Sequence, residues 1–89
     1  MLNKFYFHIM DWEELDGKLV RNVKCQDFEE ALALLNKIAV IAESMNHHPD
    51  MKIFNYKHLS IEVYSHDTNS VTAKDYELTR KIDHVFASN

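Results

Sequence analysis

The residues whose types and spacing could do chemistry lie mainly in Glu43-Ser44-Met45-Asn46-His47-His48-Pro49-Asp50, and a third histidine, His66, follows later. An unperturbed imidazole has a pKa near ~6.5, so adjacent histidines can give or take a proton at neutral pH. Such a group suits general acid/base work or the binding of a polar ligand. Pro49 fixes the backbone and biases His48 towards an extended conformation, a positional role. Each residue also has a plainer reading. Paired histidines at a helix end can simply face the C-terminal dipole, Glu43 can orient a neighbouring histidine or solvate the helix, and Asp75 can be a first-turn carboxylate. Trp12 could stack on a planar ligand or merely pack. His8, His58 and His84 fall outside the pattern and read as surface or structural residues.

A metal centre is the first rival, because three histidines and a carboxylate are an acceptable ligand set for zinc or iron. The spacing argues against it. There is no i, i+4 histidine pair and no paired-cysteine motif, and adjacent residues do not readily aim at one ion from regular structure. The expectation from spacing is therefore no metal.

The elements that must position these groups can be read from periodicity. Residues 3–10 are rich in aromatics, with Ile9, and favour a strand, followed by Trp12. Asp16-Gly17 signals a turn, and Leu19, Arg21, Val23 and Cys25 alternate against Val20, Asn22 and Lys24, so a hairpin is expected. Asp27 and Glu30 form an N-cap pairing for a helix ending near Met45, with Phe28, Leu32, Leu35, Ala39 and Ala42 at helical spacing. Leu34, Ile38, Ile41 and Met45 widen the apolar arc to about 180°, beyond the roughly 100° stripe that one packed face needs. The extra width predicts a second partner, another copy of the chain.

After the histidine pair, residues 51–56 and 59–65 read as strands, the second through Leu59, Ile61 and Val63, with Lys57-His58 as the tight turn between them. Residues 67–70 are a loop. Thr72 and Asp75 mark the start of a last helix that carries Tyr76, Thr79, Ile82 and Phe86 inward. The order β-β-α-β-β-α indicates an α+β fold, a four-stranded, largely antiparallel sheet with two helices packed on one face.

Size and charge bound the rest. Eighty-nine residues, 46% hydrophobic, with one Gly and one Pro, describe one ordered domain over residues 1–89. A chain this short buries only about 60% of its unfolded surface, so stability is expected to be thin. The formal charge of −4 lacks the basic footprint of a DNA or RNA binder. A single cysteine, Cys25, cannot form an internal disulfide. Residues 2–10 contain Lys4 and His8 and are too short and polar for a signal peptide or membrane span, so a soluble, cytoplasmic protein is expected.

The ordered set Glu43-x3-His47-His48-Pro49, Tyr56, His66 and Asp75 resembles the signature of the pterin-4a-carbinolamine dehydratases, pterin-recycling enzymes also known as the dimerization cofactor of a homeodomain transcription factor. The resemblance runs from about Trp12 to Asp83 and includes Asp16-Gly17-Lys18-Leu19, Asp27-Phe28-x2-Ala31, Asn36-x5-Ala42-Glu43 and Asp75-x2-Leu78-x3-Ile82-Asp83. The N-terminal helix of longer relatives is expected to be absent. Where the family commonly has Thr-His and then Gly-Gly-Leu-Thr, this chain has Ser65-His66 and Asn69-Ser70-Val71-Thr72. The resemblance implies dehydration of a 4a-hydroxytetrahydropterin to a quinonoid dihydropterin without metal or organic cofactor. It implies His47 and His66 as acid/base residues, His48 as a pterin contact, and Glu43, Pro49, Asp75, Trp12 and Tyr56 as binding or supporting residues. It further implies a homodimer or homotetramer and, as the alternative to catalysis, a protein-interaction module, while charge and hydropathy lead us to expect no direct nucleic-acid or membrane partner.

Overall fold

The computed structural model describes residues 11–88. Its elements are β1 (Glu13–Leu15), β2 (Lys18–Lys24), α1 (Phe28–Met45), β3 (Asp50–Phe54), β4 (His58–Val63) and α2 (Ala73–Ser88). The strands form one sheet in the order β1-β2-β4-β3, with every neighbouring pair antiparallel. The expected α+β architecture is thus present. The strand expected over residues 3–10 and the expected absence of an N-terminal helix lie outside the described residues.

Alternation along β4 explains the layering. Leu59, Ile61 and Val63 are fully buried, while the residues between them face the other side. Opposite them on β2 stand Val23, Arg21 and Leu19. Ala31, Leu34 and Ile38 of α1 and Leu78 and Ile82 of α2 complete the core on this same face.

The turns are legible in backbone terms. Asp16 and Gly17 both have positive φ, 50° and 76°, as a two-residue hairpin loop joining Leu15 to Lys18 requires. A Cβ on Gly17 would also stand 3.1 Å from the Asn69 carbonyl oxygen, so this turn abuts the loop before α2. The hairpin's first arm is Glu13–Leu15, with Trp12 outside it. The second turn differs from expectation: Asn55, Tyr56 and Lys57 form it, and His58 is already in β4, paired with Phe54. Asn55 and Tyr56 both take left-handed backbone, and the Cys25 N–H bonds the Lys57 carbonyl at 2.7 Å, which ties the turn to the end of β2.

Both helix starts follow their caps. Asp27 is extended and its carboxylate accepts the Glu30 N–H at 2.9 Å, while the Glu30 carboxylate accepts the Gln26 N–H at 2.6 Å. The buried stripe of α1 is Ala31, Leu34, Ile38 and Ala42, whereas Phe28 and Leu32, which share the helical spacing, are exposed. On α2, Leu78, Thr79 and Ile82 are buried, whereas Tyr76 is 47% exposed and does not point into the core.

Candidate active site

The end of α1 places His47. Asn46 adopts left-handed backbone at φ 50°, its N–H bonds the Glu43 carbonyl at 3.1 Å, and the His47 N–H reaches back to the Ala42 carbonyl at 3.1 Å. This pair of bonds is a Schellman closure, which stops the helix and fixes the backbone of the residue that follows. His47 is therefore held by its main chain before its ring makes any contact.

The start of α2 places Asp75. The carbonyl of Thr72 accepts the Asp75 N–H at 3.0 Å, and the Asp75 carboxylate in return accepts the Thr72 N–H at 2.7 Å, the backward half of a capping box. The same oxygen, Oδ2, accepts from the Ser65 hydroxyl at 2.9 Å and the Thr72 hydroxyl at 3.2 Å, and those two hydroxyls meet at 2.8 Å. The other oxygen, Oδ1, lies 2.6 Å from His47 Nε2. Asp75 is fully buried.

The electrostatics follow from this inventory. Burial alone pushes a carboxyl group up towards neutrality. Here the hydrogen bonds of His47, the Thr72 N–H, Ser65 and the Thr72 hydroxyl outweigh burial and hold Asp75 below its usual value. An ionised carboxylate only accepts, so the proton in the 2.6 Å contact is assigned to His47 Nε2. The neutral ring then carries its free lone pair on Nδ1, the atom able to take a proton from a ligand.

His48 and His66 are arranged differently. His48 Nε2 is 2.6 Å from Glu43 Oε2 on the exposed end of α1. His66 follows Ser65, whose backbone pairs with Ser70 across a tight loop: the Ser65 N–H bonds the Ser70 carbonyl at 2.9 Å, and the Ser65 carbonyl takes the N–H groups of Thr68 and Asn69. Asn69 supplies left-handed backbone at φ 52°, so an asparagine makes a bend of the kind that usually favours glycine. The His66 ring tilts against Tyr64 at 4.4 Å and lies 3.7 Å from Asp50.

The structure therefore joins His47 to Asp75 and His48 to Glu43, and sets Pro49 between His48 and β3. Two expected site residues lie elsewhere. Tyr56 occupies the three-residue turn at the opposite end of β4 from Ser65, roughly 20 Å away at strand rise. Trp12 donates its indole N–H to Asp83 at 2.8 Å, eight residues and about 12 Å along α2 from Asp75. There it joins a clasp in which Arg21 bonds Asp83 at 2.8 Å, pairs with Asp11 at 3.1 Å and lies over the Phe86 ring.

Three further residues belong to the arrangement. Ser65 and Thr72 supply hydroxyls to Asp75, and Asp50 faces His66. The Thr72-x2-Asp75 spacing signals the Thr72 contact as a cap, but no local pattern signals the Ser65 bond, which depends on the loop closing. Among the described residues no group of three His, Cys, Asp or Glu side chains is placed to share a metal ion, and no helix is long and apolar enough to cross a membrane.

Comparison with known proteins agrees with this arrangement of elements. A family model described as pterin 4 alpha carbinolamine dehydratase matches residues 2–85. A protein of Prochlorococcus marinus, provisionally named a pterin-4-alpha-carbinolamine dehydratase, is 42% identical over 72 residues, covering 81% of this chain and 74% of its own length. A relative of the same provisional name from Sulfurisphaera tokodaii is 46% identical over 72 residues, covering 81% and 76%. Among solved structures, a transcriptional coactivator/pterin dehydratase from Brucella melitensis superposes with a TM-score of 0.78 at 23% identity, covering 96% of both chains. A pterin dehydratase-like protein identified as a RuBisCO assembly factor in the alpha-carboxysome gives 0.71 at 16% identity, covering 88% and 92%. At those identities the two structures speak to the fold alone, whereas the family model and the sequence relatives carry the assignment: the chain belongs to the pterin 4 alpha carbinolamine dehydratase family.

Proposed function

We propose that the protein dehydrates a 4a-hydroxytetrahydropterin to a quinonoid dihydropterin, as in tetrahydrobiopterin recycling, by histidine acid/base catalysis. The observation that supports this best is the 2.6 Å contact between His47 Nε2 and the buried, four-times hydrogen-bonded Asp75. A carboxylate held in that way orients an imidazole and leaves Nδ1 basic, which is the requirement for proton abstraction.

In this reading the C4a–O bond breaks, a proton leaves a ring nitrogen for His47 Nδ1, and His66 protonates the departing hydroxyl, which leaves as water. The ring nitrogen's electron pair forms the new double bond to C4a. No electrons leave the substrate, so no redox partner is required. His48, on the exposed end of α1, contacts the pterin, and Glu43 holds its ring at 2.6 Å.

A second reading is favoured by the apolar flank of α1. Phe28 is 50% exposed and Leu32 42% exposed, a surface suited to a homodimer or homotetramer or to a non-catalytic interaction module. A fold neighbour is named for assembly of RuBisCO, so proteins of this shape are known in such a role. Turnover of a 4a-hydroxytetrahydropterin by purified protein, with spontaneous dehydration subtracted, discriminates the two. Rates above background support the enzyme, and rates equal to background at saturating substrate leave the interaction module.

A further inference from the structure

His47 has an orienting carboxylate in Asp75, and a second carboxylate stands beside His66. The Nε2 of His66 is 3.7 Å from Asp50 Oδ1, with both side chains about half exposed. Asp50 is fixed by the sheet, because it opens β3 and pairs with Glu62 of β4. Two acids directly opposite each other repel, so each needs its own partner.

The surrounding groups supply those partners. Lys18 takes Glu62, with Nζ 3.3 Å from its carboxylate, and lies 4.9 Å over the Tyr64 ring. Tyr64, two residues beyond Glu62, lies near enough to feel the Asp50 charge; partial burial first, then that charge, raise the pKa of its hydroxyl. The Tyr64 ring in turn tilts against His66 at 58°. Lys18 thus makes its direct ion pair with Glu62, and the ion-pair contact of Asp50 among the described residues is with His66.

We propose that Asp50 is a positioning residue for His66, its backbone fixed by the register of β3 on β4 and its carboxylate setting the orientation in which the imidazole meets substrate. The kinetic consequence rests on the dehydratase reading above. The carboxylate partners of His47 and His66 then differ in kind. Asp75 is buried and locked, whereas Asp50 is solvent-facing and 3.7 Å away, a spacing that tightens when substrate excludes water. An exposed pair of this sort contributes little to stability, so its effect falls on catalysis rather than folding.

The test is a set of variants read for kcat and KM and for the nuclear Overhauser contact between the Tyr64 and His66 rings in ligand-free protein. Asp50→Ala should lower kcat about 10-fold with a smaller change in KM, and Asp50→Glu should recover to within about threefold of wild type. Added to His66→Ala, Asp50→Ala should cost less than about twofold more, because a residue acting through His66 has nothing left to position. The ring contact should weaken in Asp50→Ala and persist in Asp50→Glu. An Asp50→Ala loss equally large in the His66→Ala background, or an unchanged ring contact in Asp50→Ala, overturns the proposal. If wild-type protein gives no turnover, the dehydratase reading fails by itself, and the ring contact alone still decides whether Asp50 positions His66.

Discussion

Asp75 concentrates the residue-scale argument, since one carboxylate caps α2, binds the Ser65 loop and orients His47. Replacing it with Asn keeps the shape but turns an NH2 donor towards groups that themselves donate, leaving buried donors unpaired. Asp75→Asn should therefore cost about 1–3 kcal/mol of stability and lower kcat. The pH dependence has a definite sign. A carboxyl whose folded pKa lies below its unfolded value adds stability that is fully present above the unfolded value, near ~3.9, and is lost as pH falls through the folded one. Urea titrations of both proteins across pH 2–7 check this, on the order of one unfolding curve per pH unit. The stability gap should be widest in the upper part of that range and close in acid; a gap that stays constant would dissociate the stability from this carboxylate. The role of Asp75 as an acidic first-turn residue was legible in the sequence at three residues' distance from Thr72. Its bond to Ser65 was not, because that contact, ten positions apart in sequence, needs the loop between β4 and α2 to fold back, and loop closure leaves no periodic trace.

Helix α1 shows at the scale of the element why pattern predicts width better than direction. The apolar arc of about 180° was readable from 3.6-residue spacing, yet periodicity alone does not say which side of so broad an arc meets the sheet. Leu34 and Ile38 face the sheet because Leu59, Ile61 and Val63 meet them there, leaving Phe28 and Leu32 on the outer flank. Turns behaved similarly. Asp16-Gly17 carries its own left-handed preference and was legible, while the second turn uses Asn55 and Tyr56, where a bulky aromatic takes positive φ under tertiary constraint. Neighbouring positions on α1 should consequently respond in opposite ways. Leu34→Ala, at a 3% exposed site, should cost about 2–4 kcal/mol by leaving a cavity. Leu32→Glu should change monomer stability by less than about 0.5 kcal/mol but shift the assembly to fewer chains in light scattering. A wild-type protein that scatters as a single chain at micromolar concentration would remove the oligomer reading of this flank.

At the scale of the whole molecule, the site has no continuous home in the chain. In the candidate site the segment after α1 contributes His47, the loop after β4 contributes Ser65 and the start of α2 contributes Asp75, so only the complete sheet-and-helix stack brings these three together. Chelation should leave turnover unchanged, since the proposed steps move only protons between the substrate and protein side chains; activity lost to a strong chelator and restored by one added metal would overturn that mechanism. The division of labour between the histidines gives the more searching test. His47→Ala and His66→Ala should each lower kcat by about 10²–10⁴-fold, because each removes one positioned proton transfer. His48→Ala, on the exposed rim beside Glu43, should mainly raise KM, as loss of uniform binding does. Combining His47→Ala with His66→Ala should cost far less than the product of the single losses, since removing either transfer already leaves the other without a concerted partner. Carbinolamines also dehydrate unaided, so each rate is taken after that background is subtracted. Circular dichroism and light scattering on every variant separate loss of chemistry from loss of fold. Two folded single variants with wild-type kcat would show that neither imidazole moves a proton in the rate-limiting step.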